Sequence, residues 1–172
     1  MKIPAGLFSP RSLIKLVLLL VLLPAVASAA EIQAWLMLNS FGPESLMSTD
    51  VLEKNNLVRA GWKVTGTGML QTEGDANSGQ LFRMVKTDSK GVLRMLAVTK
   101  AEAEIQVKAG YVIEGALGYV ATQTGPGHIA VYRFMKADKL LWLIGSADQT
   151  WAVKNGWTRE KAVFWLWPDN DR

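Results

Sequence analysis

The chain has 172 residues with a formal net charge of +4, one histidine and no cysteine. This length favours a single domain with a hydrophobic core of its own. The missing cysteines exclude disulfides and thiol chemistry, so the core has to hold itself together, and seven tryptophans can supply much of its apolar area.

Residues 1–29 are predicted to be a signal peptide. Lys2, Arg11 and Lys15 accompany the apolar run LVLLLVLLPAVASAA, and an A-x-A cleavage pattern lies at positions 27–29. The apolar stretch is short for a bilayer span, although an uncleaved N-terminal anchor has the same pattern. We therefore expect an exported protein, periplasmic or secreted, with no membrane association after signal cleavage.

Removing this segment changes the charge of the protein. The segment carries three of the 19 Lys and Arg residues and none of the 15 Asp and Glu residues, which leaves sixteen basic and fifteen acidic residues, a net charge of +1. No run of five basic residues occurs either. The sequence therefore gives no electrostatic reason to expect a nucleic-acid partner.

The rest of the chain, residues 30–172, contains three similar phrases at nearly constant spacing. They are LVRAGW at 57–62, QVKAGY at 106–111 and AVKNGW at 152–157. An acidic residue lies nine positions before each final aromatic residue: Glu53, Glu102 and Asp148. The phrases AWLM, LFRM and VYRF form a second recurring series upstream. These matches predict a single domain of three repeats, near 32–78, 79–127 and 128–172.

Each predicted repeat contains two strands, a short helix and then one long or two short strands. QLFRMV and AVYRFM are rich in strand-forming residues, and VLRMLAV and LLWLI follow them after turn sequences. TKAEAEIQVKAG predicts a helix on which Thr99 and Glu102 form a capping box, and the pairs Asp50/Glu53 and Ser146/Gln149 resemble it. The predicted fold is strand-dominated α+β, with three tandem strand–strand–helix–strand repeats in one pseudo-threefold domain; a β-trefoil is the alternative.

The glycine of each recurring phrase is predicted to end a helix. Gly61, Gly110 and Gly156 occupy the position where a left-handed residue stops the helix, a conformation that only glycine adopts at little cost. The next residue in such a cap packs back on the last helical turn. We therefore expect Trp62 on Leu57, Tyr111 on Ile105, and Trp157 on Trp151 or Ala152.

These phrases resemble a bacterial tandem-repeat family of unknown function found in secreted and wall-associated proteins. Its unit reads Tyr-Arg-x-aromatic, His-aromatic-aromatic-Thr, Ser-x-x-Glu, Gly-Trp-x-Tyr-Glu-Gly and Ala-Phe-Tyr. VYRF, SADQTWAVKNGW and AVFW of the third repeat match it, as do LFRM and EGALGY of the second. The resemblance implies binding to a surface or a glycan. The histidine of the unit is missing from every repeat, and its Glu-Gly pair is intact only at Glu114-Gly115.

Residue types that support catalysis are few. His128, the only histidine, follows Gly-Pro-Gly without a nucleophile motif, and one histidine cannot supply a metal site. Two carboxylates can catalyse glycoside hydrolysis, but Glu53, Glu102 and Asp148 are better explained as helix-start residues that interact with the helix dipole. We therefore expect a protein that is not an enzyme and has no catalytic residues, metal or cofactor.

Aromatic residues of the third repeat are the candidate ligand contacts. Alternation along FWLW places Trp165 and Trp167 on one face of a strand and Phe164 and Leu166 on the other. Trp142, Tyr132 and Arg133 complete the candidate set, because exposed aromatic rings stack on sugars and anchor interfaces. Burial in the core is the alternative for the aromatic residues, and a solvent-facing strand position is the alternative for Arg133.

Two functions follow as hypotheses. The first is a non-catalytic exported protein that binds a glycan, such as a polysaccharide or peptidoglycan, or another cell-envelope component. The second is an accessory or inhibitory protein that docks on an envelope protein partner. An exposed apolar patch on the folded monomer favours the second hypothesis.

Overall fold

Nine strands and three helices lie within residues 29–89 and 91–169, the part of the chain that the computed structural model describes. In chain order they are β1 (Glu31–Asn39), β2 (Ser45–Ser48), α1 (Val51–Arg59), β3 (Trp62–Gln71), β4 (Ser78–Asp88), β5 (Gly91–Ala97), α2 (Lys100–Lys108), β6 (Val112–Ala121), β7 (Ile129–Lys136), β8 (Lys139–Leu143), α3 (Ser146–Lys154) and β9 (Thr158–Leu166). The predicted signal peptide lies almost entirely outside the described residues. Within them, no helix is long and apolar enough to cross a membrane.

The order strand, strand, helix, strand occurs three times along the described chain. A single long strand follows each helix, where the sequence left one long or two short strands open. Strands outnumber helices, which confirms the prediction of a strand-dominated fold, and the architecture is compatible with the α+β class.

All strand pairs are antiparallel and belong to one sheet. Within it, β1 lies between β2 and β3, β4 lies between β5 and β6, and β7 lies between β8 and β9. The ends of β3, β6 and β9 then meet through single residue pairs: Gln71 with Tyr119, Ala121 with Trp165, and Met69 with Trp167. The three strand groups are therefore joined at the ends of their last strands.

The main core lies between the three strand groups. Its largest members include Trp142 and Phe164, whose rings lie 5.9 Å apart, and Leu36, Leu70, Leu81 and Leu166 join them. Phe164 and Leu166 are completely buried, whereas Trp165 and Trp167 between and beyond them are half-buried. The alternation predicted for this strand is therefore confirmed, and the core face carries the phenylalanine and the leucine.

The predicted helix ends are confirmed. Gly61, Gly110 and Gly156 have φ values of 88°, 92° and 79°, each one residue beyond the helix cap. Behind them the backbone amides of Tyr111 and Trp157 donate to the carbonyl oxygens of Gln106 and Ala152 at 3.0 Å. This bond from the second residue past the cap is the Schellman arrangement, which satisfies carbonyls at the end of a helix.

The aromatic residues behind these glycines pack in different ways. Trp157 is buried in a small cluster that includes Ala152, as predicted. Tyr111 packs on a cluster built around Phe82 and Ala103, while Ile105, its predicted partner, is 62% exposed. The contact between Tyr111 and Ile105 therefore stays a prediction.

The helix starts confirm one predicted capping box in full, Thr99 with Glu102, and only the cap residue of a second, Asp50. Asp50 accepts from the backbone amides of Leu52 and Glu53. Thr99 accepts from the amide of Glu102 at 3.1 Å, and the Glu102 carboxylate reaches back to the amide of Val98 at 2.8 Å. The third prediction is wrong, because α3 begins at Ser146 itself and its cap, Gly145, offers no side chain.

Candidate functional site

A groove lies beside the third helix, between the loop that joins β1 to β2 and the turn that joins β7 to β8. Its volume is about 800 Å³. Phe41 and Pro43 come from the β1–β2 loop, Trp151 comes from α3, and Trp157 comes from the residue before β9. The β1–β2 loop and the region around α3, which are distant in sequence, therefore form its walls, and both contribute aromatic residues.

Phe41 is the most exposed large apolar residue described, at 85%. Its loop is nevertheless fixed locally, since the Phe41 amide donates to Asn39 Oδ1 at 2.9 Å and the Asn39 amide donates to the carbonyl of Glu44 at 2.8 Å. The ring lies over Gly61, where a Cβ atom would come 2.2 Å from the ring. The apolar ring is therefore held in contact with water, although the hydrophobic effect disfavours that exposure.

Replacing Gly61 with alanine is expected to displace the Phe41 ring. Gly110 is a matched control, since it has nearly the same φ but a Cβ there would meet nothing closer than Lys86 at 3.5 Å. Both Gly61→Ala and Gly110→Ala should lose about 1 kcal/mol of stability, because alanine tolerates the left-handed conformation poorly. Only Gly61→Ala should shift the Phe41 ring resonances in NMR spectra. Unchanged Phe41 resonances in Gly61→Ala would contradict the contact.

Trp151 and Trp157 give the groove its other aromatic surfaces. Trp151 is on the outer side of α3 and is 43% exposed, whereas Trp157 is only 5% exposed. Trp157 belongs to a buried cluster with Leu38 of β1 and Phe134 of β7. This cluster lies beneath the groove, while Trp151 remains partly accessible to a ligand.

Charged groups lie around the aromatic surfaces. Lys63 of β3 forms an ion pair with Asp148 of α3, with 3.3 Å between Nζ and Oδ1. Lys136 donates through Nζ to the carbonyl of Asn155 at 2.8 Å, at the C-terminus of α3. Lys139 lies on the same turn as Lys136. A ligand in the groove can therefore make both apolar and charge-assisted contacts.

A smaller polar pocket of about 150 Å³ lies next to the groove. It shares Gly42, Pro43, Asp138 and Lys139 with the groove and adds the ion pair between Arg94 and Glu44. Tyr111 also lines it, and burial raises the pKa of this phenol, with further increases from the negative charges of Asp88 and Asp138. The Tyr111 hydroxyl is therefore neutral at ordinary pH and can both donate and accept a hydrogen bond.

The ligand-contact candidates predicted from the sequence lie outside the groove. Trp142 is 1% exposed and packs on Phe164, so the prediction that it contacts a ligand is wrong: its ring belongs to the core. Arg133 forms an ion pair with Glu160, with 2.5 Å between Nε and Oε2. Its guanidinium is therefore already engaged by a carboxylate of the neighbouring strand.

The other three candidates are half-buried aromatic residues. Tyr132 lies beneath the guanidinium of Arg159, which is 5.1 Å from the ring centroid. Trp167 meets the edge of His128 at 5.8 Å between ring centroids. Trp165 stands in β9 opposite Ala130 and Ala121. These rings are covered in part by their neighbours, and the groove does not include them.

The carboxylates considered for acid–base chemistry have structural partners. Glu53 pairs with Arg83, with 2.8 Å between Oε2 and Nη1, and the same guanidinium also pairs with Glu114, with 3.0 Å between Nε and Oε2. Glu102 caps its own helix and Asp148 pairs with Lys63. No group of three or more metal-ligating side chains occurs among the residues that the structure describes.

Phe41 and Trp151 line the groove but were not predicted from the sequence as ligand contacts. Phe41 follows Asn39-Ser40 and precedes Gly42-Pro43, so a large apolar ring stands within turn-forming residues. That context predicts exposure, because loops run over the surface. Trp151 carried no comparable indication, since its helix shows little segregation of apolar residues to one face.

Comparison with known proteins gives one match. A family model described as a domain of unknown function (DUF5648) matches residues 35–167, which covers all three helices and most of every strand group. No curated protein and no solved structure is significantly similar to the chain.

Proposed function

The chain belongs to the DUF5648 family of domains of unknown function, and we propose that it is a non-catalytic, exported protein that binds a glycan of the cell envelope. The ligand site is the groove described above. The observation that carries the proposal is the exposure of two aromatic side chains in one groove of about 800 Å³: Phe41 is 85% exposed and Trp151 is 43% exposed.

The pairing of these two aromatic residues suits a sugar. The faces of pyranose rings carry C–H groups that stack on aromatic side chains, while their hydroxyl groups need polar partners at the edge of the site. Phe41 and Trp151 offer the apolar surfaces, and the Lys63–Asp148 pair offers donors and acceptors beside them. Phe41 is also held by its loop bonds before a ligand arrives, which reduces the entropy lost on binding.

Export is part of this proposal. It is supported by the basic and apolar N-terminal segment and its A-x-A pattern at 27–29. Fractionation of cells that express the full chain tests it: the protein should be recovered in the periplasm or medium, lacking the first 29 residues by mass spectrometry. Recovery of the intact chain in the cytoplasm would remove export from the proposal.

We also propose that the domain consists of three repeats arranged around a pseudo-threefold axis where β3, β6 and β9 meet. The three identical element orders and the three positive-φ glycines support this arrangement. Two corresponding ion pairs add to it, Arg83 with Glu114 and Arg133 with Glu160. Each pair joins the first strand of its group to the last, so the second and third groups are stabilised in the same way.

Removing either exposed ring is expected to weaken glycan binding. Phe41→Ala and Trp151→Ala should each reduce affinity about tenfold, because each variant loses one stacking surface. Ile105→Ala is the matched control, since Ile105 is 62% exposed but lies on α2, outside the groove. Sedimentation with purified peptidoglycan and affinity electrophoresis in neutral and acidic polysaccharides measure the affinities.

The outcomes of this experiment are distinct. Wild-type protein that binds neither peptidoglycan nor any polysaccharide removes the proposal. Binding that is unchanged in Phe41→Ala and Trp151→Ala moves the site away from the groove. Folding of each variant is checked by thermal denaturation, and the melting temperature should change little because both rings are exposed.

A second candidate function is docking on an envelope protein. The helices favour it, since they present exposed apolar side chains away from the core: Leu52 on α1 is 68% exposed, Ile105 on α2 is 62% exposed and Val153 on α3 is 55% exposed. Crosslinking in envelope extracts, with Leu52→Lys and Ile105→Lys as disrupting variants, tests it. An adduct that persists in both variants, or no adduct in wild type, counts against this function.

A further inference from the structure

Two lysines face each other at the rim of the groove. Lys136 ends β7 and Lys139 begins β8, and the two residues are direct partners across the turn. Side chains at such positions lie about 5 Å apart at Cβ, and like charges placed there destabilise a hairpin. Repulsion between the two ammonium groups thus destabilises the turn that joins β7 to β8.

The turn between these lysines is also strained. Ala137 has a φ of 54° and is the one residue other than glycine with positive φ in the described part of the chain. The left-handed conformation is unfavourable for alanine, and glycine or asparagine at this position would avoid the strain. Two unfavourable features therefore coincide on a turn that lines the groove.

The acidic groups next to the two lysines have partners of their own. Asp148 is paired with Lys63, and Lys136 donates to a neutral carbonyl, that of Asn155. The ammonium of Lys139 has no ion pair or hydrogen bond to any residue within 29–89 and 91–169. Asp138 stands close enough to Tyr111 in the adjoining pocket to affect its phenol, and this acid also has a partner of its own.

We propose that the groove selects a carboxylate-bearing glycan, whose acidic group lies between Lys136 and Lys139 while its sugar rings stack on Phe41 and Trp151. This inference rests on the proposed glycan-binding function and specifies the class of ligand. A carboxylate accepts two charge-assisted hydrogen bonds from neighbouring ammonium groups and relieves their mutual repulsion. Binding of the ligand thus removes the electrostatic repulsion that destabilises the free turn.

The test compares each acidic polysaccharide with its uncharged form. Polygalacturonate, alginate and hyaluronan are used beside preparations in which the carboxylates are methyl-esterified. At least one acidic form should bind, its ester should bind at least tenfold more weakly, and affinity should fall as salt is added. Binding is measured by isothermal titration calorimetry with the mature protein.

Two double variants that each remove two positive charges distinguish the loss of the groove lysines from a general loss of positive charge. Lys136→Gln with Lys139→Gln should weaken binding to the acidic form about tenfold. Lys100→Gln with Lys108→Gln removes the same charge from α2, outside the groove, and should leave binding unchanged. The single variant Lys139→Gln should bind more weakly and yet melt at the same or a higher temperature, because it removes the cross-strand repulsion.

Four results distinguish the acidic-ligand inference from the proposed glycan-binding function. Equal affinity for acid and ester, or wild-type affinity in the Lys136/Lys139 double variant, overturns the choice of an acidic ligand and leaves glycan binding standing. Binding confined to neutral polysaccharides does the same. Failure of the wild-type protein to bind any polysaccharide or peptidoglycan overturns the proposed function, and the acidic-ligand inference falls with it.

Discussion

Trp142→Ala should lose about 4 kcal/mol of folding stability, the largest effect we expect from a single substitution. The Trp142 ring is 1% exposed, packs on Phe164 and stands in the main core with leucines from the other strand groups. Alanine would leave a cavity that all three groups line, so the lost contacts cannot be replaced by a small local collapse. Chemical denaturation followed by far-UV circular dichroism measures the loss.

Trp142→Phe separates ring packing from the indole nitrogen. Trp142 Nε1 is buried and finds no hydrogen-bond partner among the described residues. Phenylalanine removes that unsatisfied donor and keeps much of the apolar area, so this variant should lose less than about 2 kcal/mol. It also keeps the prediction testable if Trp142→Ala does not fold. Equal stability of Trp142→Ala and wild type would place the ring outside the core.

Gly79→Ala should lose about 3 kcal/mol, although it adds only one methyl group. A Cβ at Gly79 of β4 would come 2.5 Å from the carbonyl oxygen of Val98, a backbone atom. That carbonyl cannot turn aside freely, because both residues that flank it are fixed at the start of α2: the Val98 amide is bonded to the Glu102 carboxylate, and the Thr99 hydroxyl accepts from the Glu102 amide. The methyl group therefore pushes β4 away from the segment that leads into the helix.

Gly115→Ala is the matched control in the neighbouring strand. Gly115 lies in β6 opposite Arg83 of β4, and a Cβ there would meet nothing within 4 Å. Alanine should leave stability unchanged or raise it by about 0.5 kcal/mol, since it restricts the unfolded chain. Denaturation curves of the two variants should therefore separate clearly. Similar losses in both would mean that strand glycines are needed for backbone conformation and not for close approach.

The elements themselves were predictable from short stretches of sequence. Each helix end depends on one glycine and the residues just before it, and Gly61, Gly110 and Gly156 all adopt the expected positive φ. The alternation of Phe164 and Leu166 against Trp165 and Trp167 follows from the two-residue period of a strand. Such features are decided within a few residues, so local chemistry is enough to find them.

The side-chain partners were not predictable in this way. Arg133 was predicted as a possible ligand contact, but the strand register places it beside Glu160. Glu53 was predicted as the second half of a capping box, but it accepts a hydrogen bond from Ser48 and forms an ion pair with Arg83. In both cases a charged group finds its partner on another element, and the sequence spacing does not reveal which one lies nearest.

The sequence by itself determined the order of elements, the helix ends and the faces of β9, because these follow from backbone preferences and side-chain periodicity over short distances. Only the tertiary structure decided that Trp142 is buried and that Phe41, Trp151 and the lysine pair of the β7–β8 turn surround one groove. The physical reason is that packing of whole strand groups sets which surfaces are covered. A loop and a helix far apart in the chain form a groove only after that packing is complete.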